Sequence, residues 1–128
     1  MKKIHLLILV LLTFIMLLGC DSNLNEHTFY GEGINWKAEY VYSYNGDVYN
    51  SELLLFYNGE EKEVKECEYT LKWKHGDISK LKGFDIKRDE WKSVSKSGGK
   101  GTIINKNEIL TITIYWDNFE ESIDLKVE

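Results

Sequence analysis

The rhythm of hydrophobic and polar residues changes near residue 19. Residues 4–18 form an almost unbroken apolar run, interrupted only by His5 and Thr13, whereas from residue 36 onward apolar and polar positions alternate. A period of two sends successive side chains to opposite faces of an extended strand, and no helix produces it. Between residues 36 and 44 the apolar set is Trp36, Ala38, Tyr40, Tyr42 and Tyr44, separated by Lys37, Glu39 and Ser43, with only Val41 out of step. A one-residue slip would expose Trp36 and three tyrosines, groups worth ~1.5–3 kcal/mol each when fully buried, so the register is firmly set.

Asn45-Gly46 then suits the two central positions of a type I′ turn, and residues 48–57 supply a second strand. Its unbroken Leu53, Leu54, Leu55, Phe56 predicts cover on both faces. After Asn58-Gly59, residues 60–66 are of mixed charge, either a loop or a ragged strand start. Residues 67–73 alternate Cys67, Tyr69, Leu71 and Trp73 with Glu68, Thr70 and Lys72, and His75-Gly76-Asp77 stops them. Two weak strands are predicted near 83–87 and 90–96, followed by a glycine-rich turn, Gly98-Gly99-Lys100-Gly101. The carboxy end is clearer: Leu110, Ile112, Ile114 and Trp116 share a face, Asp117-Asn118 turns the chain, and Ile123, Leu125 and Val127 close a final strand. Six to seven short strands at intervals of roughly ten residues predict an all-β, antiparallel fold, a sandwich or small barrel. The expected form is an immunoglobulin-like β-sandwich of about seven strands. Proline is absent, so scattered lysines are expected to guard the edge strands.

At the amino end, Lys2 and Lys3 precede the apolar run in the charged-then-greasy order of a secretory signal peptide. The run spans about 15 residues, short of the ~20 that a membrane-crossing helix needs. It ends in Leu17-Leu18-Gly19-Cys20 and turns polar at Asp21, Ser22 and Asn23. This resembles the bacterial lipoprotein signal. The resemblance implies cleavage between Gly19 and Cys20, a diacylglyceryl group on the Cys20 sulfur, and residence on the extracytoplasmic face of the cell membrane. Two or more acyl chains on one residue give durable attachment, where a single chain holds only marginally. The expected organisation is a signal peptide over residues 1–19, a lipidated start and tether over 20–28, and one all-β domain over 29–128. A further resemblance rests on both ends of the mature chain, Gly31-Glu32-Gly33-Ile34-Asn35-Trp36 and the hairpin from Tyr115-Trp116 to Val127. They are similar to a group of small lipoproteins of Gram-positive bacteria. That resemblance implies an all-β extracytoplasmic domain and brings neither an activity nor functional residues.

An acylated Cys20 has no free thiol, so Cys67 is left without a disulfide partner, and its alternation with apolar neighbours reads as a buried, inert thiol. The 128 residues carry 16 Lys plus Arg against 21 Asp plus Glu, and losing Lys2 and Lys3 with the signal takes the net charge from −5 to −7. An acidic domain of this kind speaks against nucleic acid as a partner. Local charge runs the other way. Lys80, Lys82, Lys87, Arg88, Lys92, Lys96 and Lys100 outnumber Asp85, Asp89 and Glu90. This basic stretch either faces an anionic membrane surface or envelope polymer, or is a solvated pair of edge strands with lysine gatekeepers. The tyrosines are equally two-sided: Tyr40, Tyr42 and Tyr44 either form a protein- or glycan-binding face or pack as core.

Catalytic raw material is thin. His27 and His75 lie 48 positions apart with no HExxH, and neither a GxSxG elbow nor a phosphate loop is present. The acidic residues of 60–68 read as solvated charge, so no catalytic, metal or cofactor residue is expected. The sequence therefore points to a membrane-anchored lipoprotein with a non-catalytic binding or structural role at the envelope. The alternatives are an inhibitor or immunity-type lipoprotein that captures a secreted enzyme and, further off, a small hydrolase.

Overall fold

The computed structural model describes residues 1–16, 25–101 and 103–128. One helix, α1 (Lys2–Met16), precedes eight strands: β1 (Asn25–Glu32), β2 (Trp36–Asn45), β3 (Val48–Tyr57), β4 (Glu63–Trp73), β5 (Gly76–Lys87), β6 (Trp91–Lys100), β7 (Leu110–Trp116) and β8 (Phe119–Val127). At ~1.5 Å per residue, the 15 residues of α1 extend about 22 Å, and no helix among the described residues is long and apolar enough to cross a membrane.

All ladders are antiparallel, and the strands follow one another in a single sheet of order β5-β4-β7-β8-β1-β2-β3-β6. The sheet coils almost into a barrel. Its halves, β6-β3-β2-β1 and β8-β7-β4-β5, meet at β1 and β8 through only two residue pairs, Phe29 with Val127 and Tyr30 with Lys126. Gly31 follows at this joint, where an added Cβ would lie 2.4 Å from the Asp124 carbonyl oxygen. The all-β, antiparallel expectation therefore holds. The immunoglobulin-like sandwich is not confirmed: there are eight strands in one continuous order, because β1 and β8 bond to each other rather than closing two separate sheets.

The alternating residues meet inside. Trp36, Ala38, Tyr40 and Tyr42 of β2 face Leu53, Leu55 and Tyr57 of β3, while Cys67, Tyr69 and Leu71 of β4 join Leu110, Ile112, Ile114 and Trp116 of β7 and Ile123 and Leu125 of β8, all buried. Trp36 sits at the centre of an aromatic group, its ring 4.9 Å from that of Tyr57 and 5.5 Å from that of Trp116, a spacing typical of tilted and edge-on ring pairs.

Several boundaries differ from those expected. The tether predicted over residues 20–28 gives way to β1 at Asn25, and residues 25–28 pair with 41–44 of β2; the strand extends because β2 offers it a long straight edge. The β2–β3 turn is Gly46-Asp47, one residue later than predicted, and Gly46 has a φ of 65°. Positive φ at the first central residue is the pattern of a turn that takes glycine there. Strand β3 is covered fully on one face only: Leu53 and Leu55 are buried, whereas Leu54 and Phe56 are half-buried beneath Trp91, whose ring lies 5.3 Å from Phe56. The glycines predicted to turn the chain at residues 98–100 instead complete β6, with Gly98 opposite Asn50 and Gly99 opposite Tyr49. Backbone pairing with β3 holds them in the strand, although Gly99 has a φ of 137° that only glycine adopts readily.

Candidate functional site

The two ends of the strand order, β5 and β6, are neighbours in sequence, joined by residues 88–90, yet no ladder pairs them among the described residues. Each follows its own partner, β5 along β4 and β6 along β3. The turn is tied to β3 and to residue 62, and one side-chain bond joins the two strands beside it. Asp89 donates its N–H to the Tyr57 carbonyl at 2.8 Å, Arg88 donates its N–H to the Lys62 carbonyl at 2.8 Å, and the Lys92 ammonium donates to the Asp85 carbonyl across the seam. Away from the turn, residues of both strands line one opening.

A cleft of about 690 Å³ opens there. Tyr40 and Tyr42 of β2 and Tyr49 and Ser51 of β3 form its floor, Ile78 and Ser79 of β5 and Ser95, Lys96 and Ser97 of β6 stand at the seam, and Trp73, His75, Asp77, Gly101 and Ile104 complete it. The volume falls within the ~300–1,000 Å³ usual for ligand pockets, but the lining is more polar than is usual, with hydroxyl and charged side chains as numerous as aromatic and aliphatic ones. The tyrosine rings are stacked, with centroids 6.2 Å apart for Tyr40 and Tyr42 and 5.7 Å for Tyr42 and Tyr49. Their hydroxyls are engaged: Tyr40 with Ser51, Tyr42 with the Ile104 backbone, and Tyr49 with Ser97 across the β3–β6 ladder at 3.3 Å. Deeper in, Tyr69 and Ser79 share a hydrogen bond of 2.7 Å. Burial pushes the Tyr40 hydroxyl up to about 12, against a smaller downward pull from Ser51, and burial also raises Tyr42. At neutral pH the floor is aromatic and uncharged.

The tyrosines proposed from sequence as a binding face are thus largely core. Tyr40 and Tyr42 are 3% and 1% exposed, and Tyr44 is half-buried with its ring 6.0 Å from those of Tyr42 and His27. They pack as a sheet face does, while Tyr40 and Tyr42 also line the cleft.

The proposed basic surface is dispersed. Lys80 and Lys82 lie on β5, where Lys82 reaches Glu68 at 3.6 Å; Lys87 ends the strand; Arg88 reaches Asp89 at 3.7 Å and donates to the Glu60 carbonyl at 3.0 Å; Lys92 crosses the seam. Lys87 and Lys92 share a shallow hollow with Glu63, Asp85, Glu90 and Trp91, so charge there is mixed.

Cys67 is fully buried and free, and burial pushes its thiol up to about 12, which leaves almost no thiolate at neutral pH. Gly19 and Cys20, the expected cleavage and lipidation residues, lie outside the described residues, as do Leu17 and Leu18. Among the described residues no group of three or more His, Cys, Asp or Glu side chains is placed to hold a metal ion.

The sequence reading missed the seam serines and Trp73, His75 and Ile104 as cleft residues. One signal was available: Ser95 and Ser97 stand two apart, placing hydroxyls where an ordinary strand carries apolar groups, while a register shift puts Ser93 on the other face, opposite Leu54. Comparison of the chain with protein-family models, with curated proteins and with solved structures finds no match.

Proposed function

We propose that this chain is a lipid-anchored binding module of the bacterial envelope, fixed through Cys20 on the extracytoplasmic face of the cell membrane and using the β5–β6 cleft to hold a ligand. The anchor rests on the order of Lys2, Lys3, the apolar run and Leu17-Leu18-Gly19-Cys20. The binding role rests on the cleft itself: about 690 Å³ between two sheet edges, floored by stacked tyrosines and rimmed by hydroxyls. A barrel with no task at this point gains by closing the seam with a ladder, since unpaired edges invite aggregation. A non-catalytic role is favoured because the cleft's charged and imidazole side chains, His75, Asp77 and Lys96, are exposed, and Asp77 and Lys96 lie in solvent-exposed ion pairs with Lys72 and Glu52 rather than in a sheltered acid–base pair. The test is nuclear magnetic resonance of the cell-processed, membrane-extracted protein titrated with soluble peptidoglycan fragments and with envelope-protein peptides. Amide shifts are expected to cluster at Ser51, Ser79, Ser95, Ser97 and Gly101. Shifts confined to the outer sheet faces contradict the proposal.

A further inference from the structure

The seam joins two features that point to one kind of occupant. Each edge strand of an unclosed sheet carries a row of backbone N–H and C=O groups that its single neighbour leaves unused, and an extended peptide satisfies such a row by adding as a strand. Here two edges face each other across the cleft, so one inserted strand pairs with both. Adjacent strands lie ~4.7–4.9 Å apart, so an inserted strand needs β5 and β6 to stand about two such spacings apart; the two share no ladder among the described residues, and residues of both line the cleft.

The register states what such a strand carries. Ser79 lies opposite Leu71, Ser95 opposite Leu53 and Ser97 opposite Ser51, so these three share the inner face with the core and the cleft floor. Lys80, Lys82 and Lys96 lie opposite Thr70, Glu68 and Glu52, on the outer face. Lys96 reaches Glu52 only at 3.9 Å and Lys82 reaches Glu68 at 3.6 Å, with the two lysine side chains 74% and 79% exposed, and Lys80 has no ion-pair partner among the described residues. A second copy of this chain would set lysine against lysine at the same edges. Charge complementarity instead selects an acidic partner.

We propose that the seam accepts an extended segment of a partner protein in which small or apolar residues alternate with Asp or Glu. The apolar set points inward onto Tyr40, Tyr42 and Ile104, and the acidic set outward to Lys80, Lys82 and Lys96. This rests on the reading of the cleft as a ligand site and names its ligand class.

The experiment is selection of a phage-displayed random octapeptide library on the detergent-extracted, lipidated protein. Enriched peptides are expected to alternate acidic with apolar residues, to slow amide exchange along β5 and β6, and to bind about tenfold more weakly to the double variant Lys80→Glu, Lys96→Glu. Both lysines are exposed, so the variant retains its fold, which circular dichroism checks. N-methylation of alternate peptide amides is expected to abolish binding, because a methylated amide cannot enter a ladder. A failure to enrich, or enriched peptides indifferent to both changes, overturns the proposal. A parallel titration with a soluble peptidoglycan disaccharide separates the two claims: saccharide shifts at Ser95 and Ser97 without peptide binding sink the inserted strand and leave the cleft as a site, and silence from both sinks both.

Discussion

Gly31→Ala tests how the two halves of the sheet are joined. A Cβ at residue 31 would lie 2.4 Å from the Asp124 carbonyl oxygen, 2.6 Å from Leu125 Cδ2 and 2.7 Å from Ile123 Cγ2. The two methyl groups can turn away, but the carbonyl belongs to the β8 backbone and moves only with the strand. Strand β8 is held to β1 by two residue pairs, so the contact acts on the weakest joint of the sheet. Overpacking of this kind costs ~1–3 kcal/mol, and the backbone contact puts this case at about 2 kcal/mol or above. With 1 kcal/mol worth ~4–8 °C in a domain near 100 residues, the melting temperature is expected to fall by roughly 8–16 °C. Thermal unfolding followed by circular dichroism measures it. Gly46→Asn serves as the control: an added Cβ there meets nothing within 4 Å, and asparagine tolerates a φ of 65°, so a change below about 1 kcal/mol is expected. If Gly31→Ala unfolds within about 0.5 kcal/mol of the parent, close approach of β1 to β8 does not hold the halves together.

Glu121 accepts hydrogen bonds from the backbone N–H groups of Ile34 at 2.6 Å and Asn35 at 3.1 Å, holding the β1–β2 turn, so Glu121→Ala is expected to cost ~1.5–3 kcal/mol in denaturant titration. Leu71→Ala, at a side chain with no exposure, is expected to cost ~2–5 kcal/mol by the same measurement. Cys67 is expected to resist iodoacetamide at pH 8 in the folded protein and to react once unfolded in guanidinium; rapid native labelling would contradict its burial. Because burial holds the Tyr40 hydroxyl near 12 while the unfolded chain ionises near 10, the unfolded state loses its proton first as pH rises. The stabilisation from keeping Tyr40 neutral is complete below pH ~10 and is lost as pH climbs to about 12. Tyr40→Phe is expected to flatten the decline of stability with pH in that interval, and an unchanged slope would refute the assignment.

The strands with strict alternation were legible because burial on one face writes a period of two into the residues, and β2, β7 and β8 follow it closely. Strands β5 and β6 were hard to read for the same reason that makes them interesting. Lining an open seam rather than a sealed core, β6 carries Ser95 and Ser97 inward and Lys96 outward, and its register shift at residues 93–95 breaks the alternation of the few apolar residues it has, Trp91 and Val94. Glycines at 98 and 99 read as a turn because φ freedom is their commonest use; Gly99 does use it, at a φ of 137°, but inside a strand, and a Cβ at residue 98 would lie 3.2 Å from the Tyr49 carbonyl oxygen. The cleft was half-legible. Its tyrosines stood out by number, but their burial depends on residues far along the chain, Tyr69 near Tyr40 and Ile104 at Tyr42, which no local pattern records. The basic stretch looked continuous in sequence and is divided in space, since Lys82 and Arg88 turn to acidic neighbours and Lys92 to a carbonyl.

The proposed placement of the domain beside a membrane depends on acyl chains carried by Cys20. Intact mass spectrometry of the protein extracted from membranes of its producing cells tests that most directly. The predicted result is a species beginning at Cys20 whose mass exceeds that of residues 20–128 by a diacylglyceryl group, with or without a third acyl chain. A species beginning at Met1, or one beginning at an unmodified Cys20, contradicts it.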